Sequence, residues 1–283
     1  MRRPLVAFSI VALTASAFAA SSARSDTDAR VNRFDERAAW TFLRRQVALG
    51  PRPAGSSASR QLAAILRGSV PRGRYQAVPD GLRNVVATVP GRNPRRLVVV
   101  GAHYDTKDLP GFVGANDGAS GTAVVRQLAR TIKPRRVRPT LVFVFFDGEE
   151  TPQGAPEGEF ERYGLRGSKV AAAAFRRAEA AIVLDFVGDR DLAIPRERLS
   201  NRRLWSQLRA AARRAGHAAA FPADEQGEVI DDHVPFLRVG VPAIDLIDFE
   251  FACWHRSCDD LSAVSARSLD AVGETMVELL LRL

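Results

Sequence analysis

The stretch "TLVFVFFDGEE", residues 140–150, decides how this chain folds. Residues 141–146 are apolar without a break and rich in β-branched and aromatic side chains. An alternating pattern would mark a strand with one wet face, whereas an unbroken short run ending at turn residues marks a strand covered on both faces. The run stops abruptly at Asp147 and Gly148, and two adjacent carboxylates follow, Glu149 and Glu150. Neighbouring carboxylates repel unless a cation or a proton lies between them. The end of this strand is therefore expected to meet positive charge.

Similar runs lie on both sides. "NVVATVP" (84–90), "RLVVVGAHYD" (96–105), "AIVLDFVGD" (181–189) and "PAIDLIDF" (242–249) read as further strands. Helical periodicity is found at 35–50, 56–68, 117–132, 166–180, 200–215 and 265–283. Strands alternating with helices predict an α/β fold, a three-layer α/β/α sandwich around a largely parallel central mixed sheet. In such sheets the site lies beyond the carboxyl ends of the strands. His103, Asp105, Asp147, Glu149, Glu150 and Asp185 all fall at such ends. The Gly- and Pro-rich stretch 151–164 is long for a strand-to-helix connection, as lids beside a site are.

The amino terminus carries Arg2 and Arg3, then the apolar run "LVAFSIVALTASAFA" and small residues, with Ala17-Phe18-Ala19 as a cleavage site. Residues 1–23 are read as a secretory signal peptide, since the run is short for a membrane span. Residues 24–283 are read as a single catalytic domain, secreted or held in the cell envelope and monomeric. Cys253 and Cys258, the only cysteines, are expected to form a disulfide in an oxidising compartment. The 283 residues are 46% hydrophobic, which excludes a disordered chain. The net charge of +9 comes from scattered arginines without interleaved aromatics, so no nucleic-acid partner and no stable membrane anchor are expected.

Collected in order, His103, Asp117, Glu149, Glu150, Asp185 and His255 form a set of two imidazoles and four carboxylates, the ligand chemistry of zinc. Any one of them alone reads more simply as a cap or turn residue, as Asp117 does in "ND-G". Together at strand ends, without a cation, they would require several raised pKa values at once. Asp105 points to the same face as His103 and is expected to accept the other imidazole N–H.

The motifs "GAHYDT" (101–106), "GANDGASGTA" (114–123), "FFDGEE" (145–150), "LDFVGD" (184–189) and "DDHVPFLRVGVPAI" leading to "WH" (254–255) resemble, in order, those of metallopeptidase family 28. That family contains secreted zinc aminopeptidases and the related glutaminyl-peptide cyclotransferases. The resemblance implies a zinc-exopeptidase-like fold and one or two zinc ions. It implies Asp117 as a bridging ligand, His103 and Asp185 completing one site, Glu150 and His255 the other, and Glu149 as general base. It also implies a cis peptide after Asp117.

The reading is a zinc-dependent exopeptidase of aminopeptidase type, acting on peptides with a free amino terminus through a metal-activated water. The alternative is a glutaminyl-peptide cyclotransferase forming amino-terminal pyroglutamate, and a third is a non-catalytic binding ectodomain. Towards the cyclase point Asp231, a second acid in "DDH" with a catalytic role, Trp254 before His255 as a substrate platform, and the long 151–164 loop. Against it, that loop lacks the tryptophan that cyclases carry, with Phe160 or Tyr163 as substitutes. Asp231 also reads as a cap for the helix at "HVPFL". His233 is read as a structural or supporting residue, and His217 as a surface residue.

Overall fold

A computed structural model describes residues 33–156 and 158–283. The segment read as a signal peptide lies outside the described residues. Residues Asn32–Leu283 cluster as one unit. In chain order the elements are α1 (Glu36–Val47), α2 (Ser57–Ser69), β1 (Arg74–Ala77), β2 (Arg83–Val89), β3 (Asn93–His103), α3 (Ala119–Thr131), β4 (Pro139–Phe146), α4 (Phe160–Tyr163) and α5 (Arg166–Ala174). They continue with β5 (Ala180–Asp185), β6 (Arg196–Glu197), α6 (Arg202–Ala215), β7 (Glu225–Gln226), α7 (Val234–Arg238), β8 (Ala243–Ile247) and α8 (Ala266–Leu280).

The six-stranded sheet has the order β1-β2-β4-β3-β5-β8. β4, β3, β5 and β8 run parallel, while β1 and β2 form the antiparallel edge. β4 shows why its sequence does not alternate. Leu141, Phe143 and Phe145 enter the larger core under α1, α2, α3, α6 and α8, and Val142, Val144 and Phe146 enter a second core under α5 and α7. All eight residues of β4 are buried. Burying one such side chain contributes roughly 1.5–3 kcal/mol, so the strand cannot slip by one residue without exchanging two apolar sets between unlike surfaces.

The helices begin on side-chain caps where the sequence offers them. Asp35, Ser56, Asn201 and Ser265 accept the backbone N–H three residues on. α3, α4, α5 and α7 lack such a bond, and before α3 stands Gly118 with φ +85°. α3 also approaches the sheet closely: a Cβ on Gly121 would lie 2.1 Å from the carbonyl oxygen of Leu184 on β5. Glycine is thus what lets the start of α3 rest against the strand that ends in Asp185.

The short strands β1, β6 and β7 are not evident from the sequence, being too brief for a periodic signal. The strand expected over 140–150 ends at Phe146, and that over 181–189 ends at Asp185. Beyond those points the backbone turns, so the polar residues sit on loops. No cis peptide bond occurs among the described residues, contrary to the expectation after Asp117; the chain turns through the left-handed Gly118.

Candidate active site

The carboxyl ends of β3, β4, β5 and β8 lie along one edge of the sheet and deliver the polar residues there. His103 and Asp185 are the last residues of β3 and β5, while Glu149 and Glu150 follow β4 and His255 lies on the loop after β8. Asp117 comes from the turn before α3. That turn is held by the buried Asp259, which accepts the backbone N–H of Asn116 at 2.7 Å and of Asp117 at 3.0 Å. Arg52, fully buried, donates to the carbonyls of Gly50 and Val113 at 2.9 Å and of Gln46 and Gly114 at 3.2 Å. Burial lowers its pKa to about 10, against the raising effect of Asp259, Asp117 and Asp105.

Two groups of ligand atoms result, one from His103, Asp117 and Asp185 and one from Asp117, Glu150 and His255, each with all its atoms within 4.8 Å of one another. Asp117 is shared between them. Its Oδ1 is 3.3 Å from His103 Nε2 and its Oδ2 is 3.5 Å from His255 Nε2. His103 Nε2 is 3.2 Å from Asp185 Oδ1, and His255 Nε2 is 3.2 Å from Glu150 Oε1. Zinc at about 2.0–2.1 Å from nitrogen and oxygen ligands separates tetrahedral ligand atoms by roughly 3.3 Å, so the donor set fits such an ion. Asp117 Oδ2 is moreover buried without a hydrogen-bond partner.

The electrostatics point the same way. Burial, followed by other effects including Glu150, raises Asp117 to about 7 despite its hydrogen bond to His103. Burial and then Glu150 push Glu149 well above the usual carboxylate range, with Asp231 and Asp232 adding to it. Burial also disfavours the Glu150 charge, but the hydrogen bond from His255, with Lys107 and both histidines near, holds its pKa below normal. Burial opposes the imidazolium of His103, yet Asp185 and Glu149 raise its pKa well above the ordinary value. Of the two adjacent glutamates, one is thus held as an anion beside a candidate metal position and the other is poised to carry a proton. Lys107 Nζ stands 3.1 Å from Glu150 Oε2.

Asp105 departs from its expected part. Its Oδ1 is 3.8 Å from His103 Nδ1, and its hydrogen bonds go to the backbone instead. It accepts N–H bonds from Gly148 at 3.0 Å and from Glu149 and Glu150 at 3.2 Å. One buried carboxylate thereby shapes the segment that carries both glutamates, while His103 Nδ1 lacks a hydrogen-bond partner.

A cavity of about 310 Å³ opens onto Asp117, Glu149, Glu150, Asp185 and His255. Its other walls are Phe160, Phe186, Val229, Ile230, Asp231, Ile247, Phe249 and Trp254, with Glu228. Phe160, from the 151–164 loop, lines the cavity, and Tyr163 is not among its walls. Trp254 is 45% exposed at the rim, with ring centroids 5.0 Å from Phe249 and 4.8 Å from His255, so it is not buried packing. Asp231 forms part of the wall; the helix α7 that follows has no side-chain cap, so Asp231 does not serve as one. A larger cleft of about 700 Å³ lies against Asp248 and Glu250 of the same loop and meets none of the candidate ligands.

Cys253 and Cys258 form a disulfide that closes the loop around Trp254 and His255. His255 itself has φ +54°, a left-handed conformation that a non-glycine residue adopts only when its surroundings impose it. Sequence reasoning missed Asp259, Lys107 and Asp245 as parts of this region. Asp259 lies four residues beyond His255 in "WHRSCDD" (254–260), but nothing local reveals that a carboxylate will turn back to bind amides far away in the chain.

The family model described as peptidase family M28 matches residues 84–280. The chain belongs to that family. Among family relatives, a glutaminyl-peptide cyclotransferase of Drosophila melanogaster is 28% identical over 225 residues, 66% of this chain and 61% of that protein. The chain thus spans about three-fifths of the length of that relative. The crystal structure of an Acidobacteriales bacterium glutaminyl cyclase superposes with a TM-score of 0.76 at 29% identity, covering 88% of this chain and 94% of that one. A Zn-dependent exopeptidase from Parabacteroides distasonis superposes with a TM-score of 0.78, covering 88% of this chain and 99% of that one. At 24% identity, that last likeness speaks for the α/β/α fold alone.

Proposed function

We propose that this member of the M28 family is a glutaminyl-peptide cyclotransferase that closes an amino-terminal glutamine to pyroglutamate. This reverses the order of the two enzyme readings drawn from the sequence. The observation that carries it is Asp231, a second buried acid in the wall of the cavity that the general-base candidate Glu149 also lines, whose negative charge adds to the upward push on the Glu149 pKa. Relatives named as glutaminyl cyclases support it, as does Phe160 in the place where a loop aromatic is needed.

Cyclisation consumes no water. The substrate's α-amine attacks its own γ-carboxamide carbon and a C–N bond forms. Glu149 takes the proton released by the attacking nitrogen and returns it to the amide nitrogen, whose bond to carbon breaks as ammonia leaves. The negative charge of Asp231 favours the protonated form of Glu149 between the two transfers. The apolar walls exclude water that would otherwise hydrolyse the amide. Asp117, Glu150 and His255 would hold a zinc ion, with His103 and Asp185 beside them. When bound, zinc supplies positive charge for the carbonyl oxygen as it becomes anionic.

Aminopeptidase action is the second reading, and one observation favours it: the two ligand groups sharing Asp117 offer places for two ions. The disulfide supports an extracytoplasmic location. Among the described residues no helix is long and apolar enough to cross a membrane. The test incubates purified protein with a Gln-initiated and a Leu-initiated peptide, read by mass. Loss of one ammonia from the first is expected; release of free leucine from the second, with the first unchanged, would refute the cyclase.

A further inference from the structure

Glu150 is held at three of its four polar groups. Its N–H donates to Asp105 Oδ2 at 3.2 Å, its carbonyl accepts from Arg166 Nη2 at 2.9 Å, and its Oε2 faces Lys107 Nζ at 3.1 Å. The remaining group, Oε1, stands 3.2 Å from His255 Nε2. Lys107 also donates to Thr151 Oγ1 at 2.6 Å, which ties its ammonium to the segment that carries Glu150. The Lys107 side chain is 23% exposed and does not line the cavity, so its influence on a bound substrate passes through Glu150.

An ammonium beside a metal position repels the incoming cation. Lys107 is therefore a poor device for tightening metal binding, and its value lies in what it does to Glu150. An ionised carboxylate has two oxygens and can give a metal one of them or both. Zinc takes four ligands, and catalytic sites keep one of the four places open. Asp117, His255 and one oxygen of Glu150 leave such a place, whereas the second oxygen of Glu150 would fill it. A charge-assisted hydrogen bond to an ammonium makes Oε2 the weaker donor to any other cation.

We propose that Lys107 is a positioning residue: by engaging Oε2 it restricts Glu150 to a single ligand oxygen, Oε1, and so keeps open the place where the substrate carbonyl meets the ion. The inference rests on the metal role given to Asp117, Glu150 and His255 under the proposed function, and not on the choice between cyclase and peptidase.

The test loads the wild type and the variants K107M, K107Q and K107R with one equivalent of cobalt(II), whose visible absorption reports its ligands. Each is then titrated with imidazole, a neutral probe of the open place. K107M and K107Q are expected to bind imidazole about tenfold or more weakly than the wild type, and K107R, which keeps a charge-assisted bond, within about threefold of it. Cobalt and zinc affinity, measured by competition with a chelator, should be no lower in K107M than in the wild type. Turnover of the Gln-initiated peptide should fall in the same order as imidazole binding. Equal imidazole affinity in the wild type and K107M would overturn the proposal, as would equal losses in K107M and K107R. A tenfold loss of metal affinity in K107M would overturn it too, for Lys107 would then only support the loop. Should K107M not fold, K107Q decides by the same measurements. The titration needs no turnover, so the readings fail separately. A wild type that takes up neither ion refutes the metal site itself, while one that binds the ion and forms no pyroglutamate refutes the cyclase alone.

Discussion

Removing the Cys253–Cys258 disulfide should weaken zinc binding more than it weakens the fold. The bridge closes a loop over a sequence separation of 5 and holds His255, one of the candidate ligands, at φ +54°. In the loop-entropy treatment, closing about six residues is worth about 2 kcal/mol. A free loop would also leave the left-handed conformation, which costs about 1–2 kcal/mol for a non-glycine residue. In the C253S/C258S variant both costs fall on the metal, which must draw His255 back towards Glu150 and Asp117. The two together, about 3–4 kcal/mol, correspond to a zinc affinity weaker by roughly two to three orders of magnitude. Competition with a chromophoric chelator, run on wild type and variant at one pH, measures it. The outer anchors of the loop, β8 and Asp259, are untouched, so the melting temperature should move by only a few degrees. Equal zinc affinity in the two proteins would refute the reasoning, for it would mean that the loop keeps its shape unaided.

Glu149→Gln should lower turnover by a factor of about 10²–10⁴ while zinc content stays at the wild-type level; retained activity would show that another group moves the proton. Asp105→Ala removes the acceptor of three backbone amides, so the segment 148–150 should lose amide-exchange protection and kcat should fall, and unchanged protection would count against the described role. Acid should destabilise the protein through Glu278 on α8. Burial opposes its charge, but Arg33, Arg214 and Arg282 at 2.8, 2.7 and 2.6 Å hold its pKa at about 2 instead of 4.5. A depressed folded pKa gives stability that is complete above pH 4.5 and is lost as pH falls towards 2; with the arginines partly solvated it amounts to about 1 kcal/mol. Glu278→Gln should flatten that part of the denaturation curve.

Much of the fold could be read in the chain because the parallel strands are buried on both faces and announce themselves as unbroken apolar runs. Helix starts were equally legible at Asp35, Ser56, Asn201 and Ser265, where the cap is local. His103, Glu150 and Asp185 were readable for a related reason, standing at or just beyond the ends of such runs, whereas Asp117 and His255 were picked out by the resemblance of the motifs around them. What stayed hidden depends on contacts between distant segments. Asp105 looked like a partner for His103, but a carboxylate with three amides in reach favours them, and two residues of spacing give no hint of a loop 43 to 45 positions away. The tie from Asp259 to the turn at Asn116 spans 143 positions, and that from His233 to Glu197 joins two elements too short to be recognised.

The bonds that Asp105 makes have a consequence for the life of the enzyme. Because main-chain amides bonded to Asp105 set the curve of residues 148–150, the bend should hold whether or not an ion is bound. Stripping with a chelator and reloading should therefore be fast and reversible, an exchange of guests in a standing room and not a round of unfolding and repair.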